Sequence, residues 1–251
     1  MQNTVERFSN RVENYVKYRP TYPPEVLNLF RDKMNLHTVS TVADIGAGTG
    51  ISARIFLENG NRVFGVEPNA VMREAAKVFL KDYPNLTLVN GTSENTTLED
   101  NSVDFIVAAQ AFHWFKPAET RKEFKRILKN GGSVALIWNE RQLDSMAFLK
   151  DYEKHLIEFG TDYETIRHDH ITKETLRDFF QTAFAEAVFQ NKQTVDFDGL
   201  KGRMLSASYV PSPENPRFPA MLKNLESLFA KHAENGRIDI LYDTKIFYGQ
   251  I

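Results

Sequence analysis

From about residue 40 to residue 140, short apolar runs alternate with stretches in which apolar residues recur at helical spacing. Each run is followed by Gly, Pro, Asn or another polar residue, a pattern typical of parallel strands joined by crossover helices. The sequence therefore predicts an α/β fold built on a parallel sheet. The predicted strands are Thr41–Ile45, Arg62–Val66, Leu86–Val89, Val103–Ala108 and Ser133–Trp138, and helices are predicted to begin near Thr49, Asn69 and Lys116.

The segments on either side of this region have other patterns. Two helical segments, Val5–Tyr18 and Pro24–Met34, precede it, and a mostly helical stretch with one strand near Ala185–Val195 follows it. The last residues are rich in β-branched and aromatic types, which favours a strand. We therefore divide the chain into an N-terminal helical segment (1–35), a core (36–140), a helical region with one core strand (141–235) and a C-terminal strand returning to the sheet (236–251).

Composition narrows the classes of partner. The formal net charge of −2 gives no basic excess for a phosphate backbone, so nucleic acid is not an expected partner. The absence of cysteine excludes disulfides, thiolate catalysis and cysteine-ligated metals. No stretch approaches the roughly 18 consecutive apolar residues of a membrane span. We expect a cytoplasmic protein, a monomer or homodimer, that has no membrane partner.

A glycine loop follows the first predicted strand. Gly46, Gly48 and Gly50 alternate between an apolar strand and a helix, where glycine allows a tight turn and close approach of a ligand to the main chain. Glu67 ends the second strand, where an acid can accept hydrogen bonds from both ribose hydroxyls. The loop and the acid together predict a cofactor that contains adenosine.

Two residues beside the loop discriminate between cofactors. Ile51 stands where dinucleotide-binding loops have a small residue, and Asp44 would place a negative charge beside a diphosphate. An acid at position 44 suits an ammonium group instead, and S-adenosylmethionine carries one. The segment Asp-x-Gly-x-Gly-x-Gly resembles the first motif of class I S-adenosylmethionine-dependent methyltransferases.

Further segments resemble the branch of that family that includes trans-aconitate methyltransferases and related small-molecule methyltransferases. The departures are mild: Asn130 replaces a common proline and Ser93 replaces the usual alanine. The resemblance implies a Rossmann-like sheet with helices on both faces, covered by a lid at residues 1–35 and a helical cap at 141–235. The matching segments are Tyr15–Pro23, Asn90–Glu94, Asn101–Phe105, Ala109–Phe115 and Leu205–Pro211.

The same resemblance implies roles in cofactor binding. Gly46 and Gly48 would line the aminoacyl end of S-adenosylmethionine, and Glu67 would hold the ribose. Ser93 and Glu94 would lie beside the adenine. The full set of predicted cofactor-binding residues is Tyr18, Arg19, Asp44, Gly46, Gly48, Glu67, Pro68, Met72, Ser93, Glu94, Gln110 and Ala111.

The predicted acceptor is a small molecule, and we expect a carboxylate because the chain resembles carboxyl methyltransferases and because the cap arginines can bind an acid bidentately. A carboxylate is already ionised at neutral pH, so His113 would position it, whereas a phenol or amine would need His113 as a base. Methylation of a carboxylate would give a methyl ester. The predicted catalytic residues are His113 and Trp114, and the predicted substrate-binding residues are Trp138, Arg141, Arg203 and Tyr209.

Metal binding is not predicted. Arg167-His168-Asp169-His170 offers two imidazoles but no third ligand at a usual spacing, which favours a solvated loop. Two alternatives to the methyltransferase remain open. One is a nicotinamide-dependent oxidoreductase, and the other is a non-catalytic protein that binds S-adenosylmethionine. The sequence leaves the identity of the acceptor open.

Overall fold

A computed structural model of the chain describes residues 12–161, Tyr163 and residues 171–251. The first part of the helix predicted from Val5 and the histidines of the segment 167–170 lie outside the described residues. Within the described ranges, no helix is both long enough and apolar enough to cross a membrane.

The elements alternate as the sequence predicts. The helices are α1 (Val12–Tyr18), α2 (Glu25–Met34), α3 (Ile51–Glu58), α4 (Ala70–Phe79), α5 (Pro117–Ile127), α6 (Ala147–Phe159), α7 (Lys173–Phe180), α8 (Phe197–Leu205) and α9 (Phe218–His232), with a 3-10 turn at Phe112–Trp114. The strands are β1 (Thr41–Ile45), β2 (Arg62–Val66), β3 (Leu86–Val89), β4 (Val103–Ala109), β5 (Leu128–Arg141), β6 (Phe184–Val195) and β7 (Ile238–Gly249).

The seven strands form one sheet in the order β3-β2-β1-β4-β5-β7-β6. The pairs from β3 to β5 are parallel, whereas β7 runs antiparallel to both β5 and β6. The predicted Rossmann-like α/β fold is therefore confirmed. The strand order reverses between β1 and β4, and ligands of open α/β sheets bind at the carboxyl ends of the strands beside such a reversal.

Local sequence explains how the helices near this edge begin. Asn69 caps α4, since its side chain accepts hydrogen bonds from the backbone N–H groups of Val71 and Met72. Pro117 occupies the first turn of α5, where its missing N–H costs nothing. Both helices begin within a residue of the predicted positions.

Strand β5 is longer than predicted. It extends from Leu128 to Arg141, beyond the predicted Ser133–Trp138. Leu128 pairs with Val103 of β4, and at the other end β7 pairs with β5 in antiparallel register as far as Arg141 opposite Tyr242. This extension carries β5 past the edge of the parallel sheet and under the cap.

Three hydrophobic clusters stabilise the molecule. Two of them cover the two faces of the sheet, one around Ile106 and Phe124 and the other around Val42 and Phe56. The third lies within the cap, where α6, α8 and α9 pack on the first residues of β7. The cap therefore has a core of its own, although the predicted division of the chain at residues 35, 140 and 235 stays a prediction.

Candidate active site

One cavity of about 900 Å³ opens at the carboxyl ends of β1 and β4. The glycine loop forms one wall of this cavity, and residues Tyr15, Arg19 and Tyr22 form a second wall. The cap and the extended ends of β5 and β7 form the third. The cavity therefore lies at the reversal in strand order, where the fold favours ligand binding.

The loop after β1 leaves room for a ligand at one of its glycines. Gly46 has φ +70°, and a Cβ atom there would come within 2.7 Å of the Cβ atom of Ala111, so this glycine is needed for packing. Gly48 has φ +56°, and a Cβ atom there would meet only the carbonyl oxygen of Gly46, at 4.0 Å. Because Gly48 lines the cavity, that Cβ atom would occupy ligand space.

Asp44 lies buried beneath the loop. Its Oδ2 atom accepts a hydrogen bond of 2.6 Å from the Ser52 hydroxyl, and Ser52 lines the cavity. Its Oδ1 atom is also buried and has no hydrogen-bond partner among the described residues. Burial raises the pKa of Asp44 to about 7, against the lowering effects of the Ser52 hydroxyl and the Ala53 backbone N–H. A buried acceptor oxygen with no donor beside the cavity suits a cationic group.

Glu67 is fixed against the same loop. Its Oε2 atom accepts a hydrogen bond of 3.0 Å from the Gly48 amide, and its Oε1 atom accepts one of 2.9 Å from the Asn69 amide. Burial raises its pKa. A carboxylate has about four acceptor positions, so these two bonds leave capacity for ribose hydroxyls. The glycine loop, Asp44 and Glu67 thus fit S-adenosylmethionine.

The residues predicted to surround the adenine lie on the loops after β2 and β3, outside the lining of the cavity. Met72 is buried and Pro68 is half-buried. Ser93 accepts a hydrogen bond of 3.1 Å from the Thr120 hydroxyl, and Glu94 accepts one of 3.2 Å from the Lys116 amide. Their roles stay predictions.

The loop after β4 forms the floor of the cavity. Gln110, in the left-handed region at φ +57°, lines the cavity, whereas Ala111 is buried against Gly46. The 3-10 turn that follows directs Phe112 into the core and leaves His113 and Trp114 on the cavity wall, with their ring centroids 4.7 Å apart. The predicted catalytic pair is therefore brought to the cavity.

The two N-terminal residues in the predicted set differ in position. Arg19 lines the cavity, lies over the ring of Tyr15 at 4.9 Å and donates a hydrogen bond of 3.2 Å to the carbonyl of Ser206 in the cap. Tyr18 does not line the cavity, because its ring packs against Gly202 of α8. Its contact joins α1 to the cap.

The two cap arginines both line the cavity, but of the two only Arg141 has an ion-pair partner among the described residues. Arg141 forms an ion pair with Glu153 and donates a hydrogen bond of 3.0 Å to the Tyr163 hydroxyl. Arg203 is 5% exposed, and its Nε atom donates to the Tyr242 hydroxyl at 2.5 Å. The buried Nη1 atom of Arg203 has no partner among residues 12–161, 163 and 171–251, nor does any carboxylate in those ranges pair with this guanidinium.

Of the two remaining predicted substrate-binding residues, one lines the cavity and the other does not. Tyr209 lines the cavity, and its ring lies 4.8 Å from that of Tyr163. Trp138 does not line it, because its side chain projects to the opposite face of β5 and packs between Phe112 and Phe247. The structure therefore gives Trp138 a core position rather than a contact with substrate.

Three residues of the wall were missed by the sequence reasoning. Glu153 and Tyr163 hold Arg141, and Tyr242 holds Arg203. The alternating pattern of β7 places Tyr242 on the same face as Ile238 and Ile240, but no local signal indicates that this face meets an arginine 39 residues earlier.

Comparisons with known proteins agree with the site. Residues 43–136 match the family described as a methyltransferase domain. An uncharacterized methyltransferase of Schizosaccharomyces pombe is 35% identical over 135 residues, covering 53% of each chain. An uncharacterized methyltransferase of Mycobacterium tuberculosis is 37% identical over 134 residues, covering 53% of this chain and 52% of the relative. The matched region spans about half the length of these relatives.

Solved structures extend the likeness of the fold to nearly the whole chain. A proposed type II methyltransferase from Anaeromyxobacter dehalogenans has a TM-score of 0.65 at 18% identity, covering 93% of this chain and 98% of the other. A proposed sarcosine dimethylglycine methyltransferase from Galdieria sulphuraria has a TM-score of 0.57 at 18% identity, covering 99% of each chain. At such identities the likeness concerns the fold and not the substrate.

The match of residues 43–136 favours a methyltransferase over the nicotinamide-dependent alternative, and the glycine loop with its two acids fits S-adenosylmethionine. Residues 43–136, which contain the glycine loop and Glu67, are thus similar to a methyltransferase domain.

Proposed function

We propose that this protein transfers the methyl group of S-adenosylmethionine to a small molecule that binds beneath the cap, and that the acceptor carries a carboxylate. The observation that carries the second part is Arg203, a buried guanidinium that faces the cavity without an anionic partner among the described residues. An unpaired buried charge costs several kcal/mol in real proteins, so an anionic ligand would be favoured there.

Arg203 is a better candidate than Arg141 for this contact. Glu153 already neutralises Arg141, which leaves little reason for that residue to attract a second anion. Tyr242 satisfies only one donor of Arg203, and its hydroxyl is neutral. A carboxylate at the Nη1 atom would complete the hydrogen bonds of Arg203 and compensate its charge.

Bound S-adenosylmethionine would supply an electrophilic methyl group, and the residues of this chain would hold and orient the two reactants. The glycine loop, Asp44 and Glu67 would hold the cofactor. Arg203 would orient the acceptor, and the buried walls would exclude water from it. Displacement at a methyl group depends mainly on alignment and desolvation, and an ionised carboxylate needs no base. His113, on the wall, would then position the acceptor.

A screen of small acids, phenols and amines with labelled S-adenosylmethionine tests the proposal. An alkali-labile ester as the main product would support it. A phenolic or amine product with a rate that depends on the ionisation of His113 would overturn the carboxylate part. Binding of the cofactor without turnover of any acceptor would favour the non-catalytic alternative.

The variant Arg203→Met tests the role of the guanidinium. We expect kcat/KM for the acceptor to fall by about 10- to 100-fold, the usual cost of losing hydrogen bonds to a charged group. Binding of S-adenosylhomocysteine and thermal stability should change little, because an apolar side chain removes an uncompensated charge. Arg217→Met is the matched control, since Arg217 is exposed and packs over Phe159 away from the cavity. An unchanged kcat/KM for the acceptor in Arg203→Met would contradict the assignment.

A further inference from the structure

The wall formed by residues 15–22 is attached to the rest of the molecule through its backbone carbonyls. Pro20 and Pro23 prevent this segment from continuing as a helix, so its carbonyl groups need partners from outside. The carbonyl of Tyr18 accepts a hydrogen bond of 2.9 Å from Gln193 Nε2. The carbonyl of Thr21 accepts two, one of 2.8 Å from Asn191 Nδ2 and one of 3.2 Å from Asn139 Nδ2.

Asn139 is the only one of these three amide donors that lines the cavity. Its orientation is fixed, because its Oδ1 atom accepts hydrogen bonds from the buried Thr244 hydroxyl at 2.5 Å and from Asn191 Nδ2 at 3.3 Å. Its amide nitrogen must therefore point at the Thr21 carbonyl.

Asn139 also contacts the floor of the cavity. Its backbone carbonyl accepts a hydrogen bond of 3.1 Å from the side chain of Gln110. The backbone of Gln110 is in the left-handed region, which is unfavourable for any residue other than glycine. This conformation therefore depends on contacts such as the one with Asn139. A second contact is the hydrogen bond of 2.8 Å that the backbone N–H of Gln110 donates to the carbonyl of Ile137.

We propose that Asn139 is a positioning residue that couples closure of the N-terminal wall to the conformation of the cavity floor. This inference rests on the proposed function only in requiring that the cofactor binds in the cavity. A ligand held between the N-terminal wall and the floor binds tightly only when both are in place. If the closed state becomes less populated, the apparent affinity falls by the same factor.

The variant Asn139→Asp tests this role with little change in shape. Assayed at a pH high enough to keep it ionised despite its burial, the new carboxylate can still accept hydrogen bonds from Thr244 and Asn191, but it faces the Thr21 carbonyl with an oxygen in place of a donor. We expect the Kd for S-adenosylhomocysteine to rise about 5- to 20-fold, from the loss of one hydrogen bond and the repulsion that replaces it. Hydrogen exchange of the amides in residues 15–22, and of the backbone amide of Gln110 on the floor, should lose the protection that the ligand confers on the wild-type protein.

Asn85→Asp is the matched control, because Asn85 also donates a side-chain hydrogen bond to a backbone carbonyl, that of Gly60, away from the cavity. Affinity and exchange should stay at wild-type values in that variant. If Asn139→Asp does not fold, Asn139→Ala removes the same donor to the Thr21 carbonyl without adding a charge, and it should reduce protection of the same amides.

Wild-type affinity together with wild-type exchange in Asn139→Asp, or in Asn139→Ala if that variant is used, would overturn the coupling while leaving the methyltransferase proposal intact. A wild-type protein that does not bind S-adenosylhomocysteine would overturn both.

Discussion

The buried carboxyl of Asp44 predicts that cofactor affinity depends on pH near neutrality. Burial raises its pKa to about 7, and an ammonium placed against it would favour the ionised form. With a pKa of about 7, the carboxyl is about 9% ionised at pH 6.0 and about 76% ionised at pH 7.5. If only the ionised form binds the ammonium, the Kd for S-adenosylhomocysteine is several-fold higher at pH 6.0 than at pH 7.5.

The stability of the free protein should change in the opposite direction. Because the pKa of this acid is raised on folding, the folded state binds more protons than the unfolded chain between about pH 4 and pH 7. Stability from this group therefore falls as pH rises through that window, while the stabilisation conferred by the ligand increases.

Titration calorimetry at the two pH values, with thermal melts of the free and bound protein, measures both effects. Asp44→Asn is the control variant, because an amide keeps the shape and cannot titrate. We expect it to bind S-adenosylhomocysteine weakly and with little change between pH 6.0 and pH 7.5. Equal wild-type affinities at the two pH values, or a pH dependence retained in Asp44→Asn, would refute this role for the carboxyl.

Two further predictions follow from the geometry. Gly48→Val should abolish measurable binding of S-adenosylhomocysteine in calorimetry while the protein still melts cooperatively, because the new side chain enters the cavity. Gly131→Val, at a similar positive φ with open space around it, should bind normally; binding retained in Gly48→Val would refute the assignment of the loop. Glu123→Gln should lower the free energy of unfolding at pH 7, because the Arg126 hydrogen bond lowers the pKa of Glu123 to about 2. The stabilisation is present above the ordinary pKa of about 4.5 and lost as pH falls towards 2, so denaturant melts of variant and wild type should converge in acid, and a constant difference would contradict it.

The strands of the parallel sheet could be predicted because each has a local signal. Strands β1, β2 and β3 have the bounds that the sequence predicts, since turn residues delimit short apolar runs in a buried sheet. The full length of β5 could not be predicted in this way. Its last residues are held in the sheet by β7, about a hundred residues later in the chain.

In the candidate site, too, the residues fixed by local sequence could be predicted and those placed by distant strand pairing could not. The glycine loop and its two acids could be predicted, because their spacing along one strand, turn and helix already sets their geometry. Trp138 shows where that reasoning fails. Its residue type suits an acceptor site, but pairing within the sheet sets which face each residue of β5 occupies, and Trp138 faces the core while its neighbour Asn139 lines the cavity.

The sequence by itself determined the α/β fold, the cofactor loop and the segments that carry the family resemblance, because these depend on residues close together in the chain. Only the tertiary structure decided that Glu153 neutralises Arg141 and that Arg203 stays without an anion among the described residues. It also decided that Asn139 joins the N-terminal wall to the floor. Contacts of this kind depend on how separate elements pack, and residue spacing along the chain carries no record of that packing.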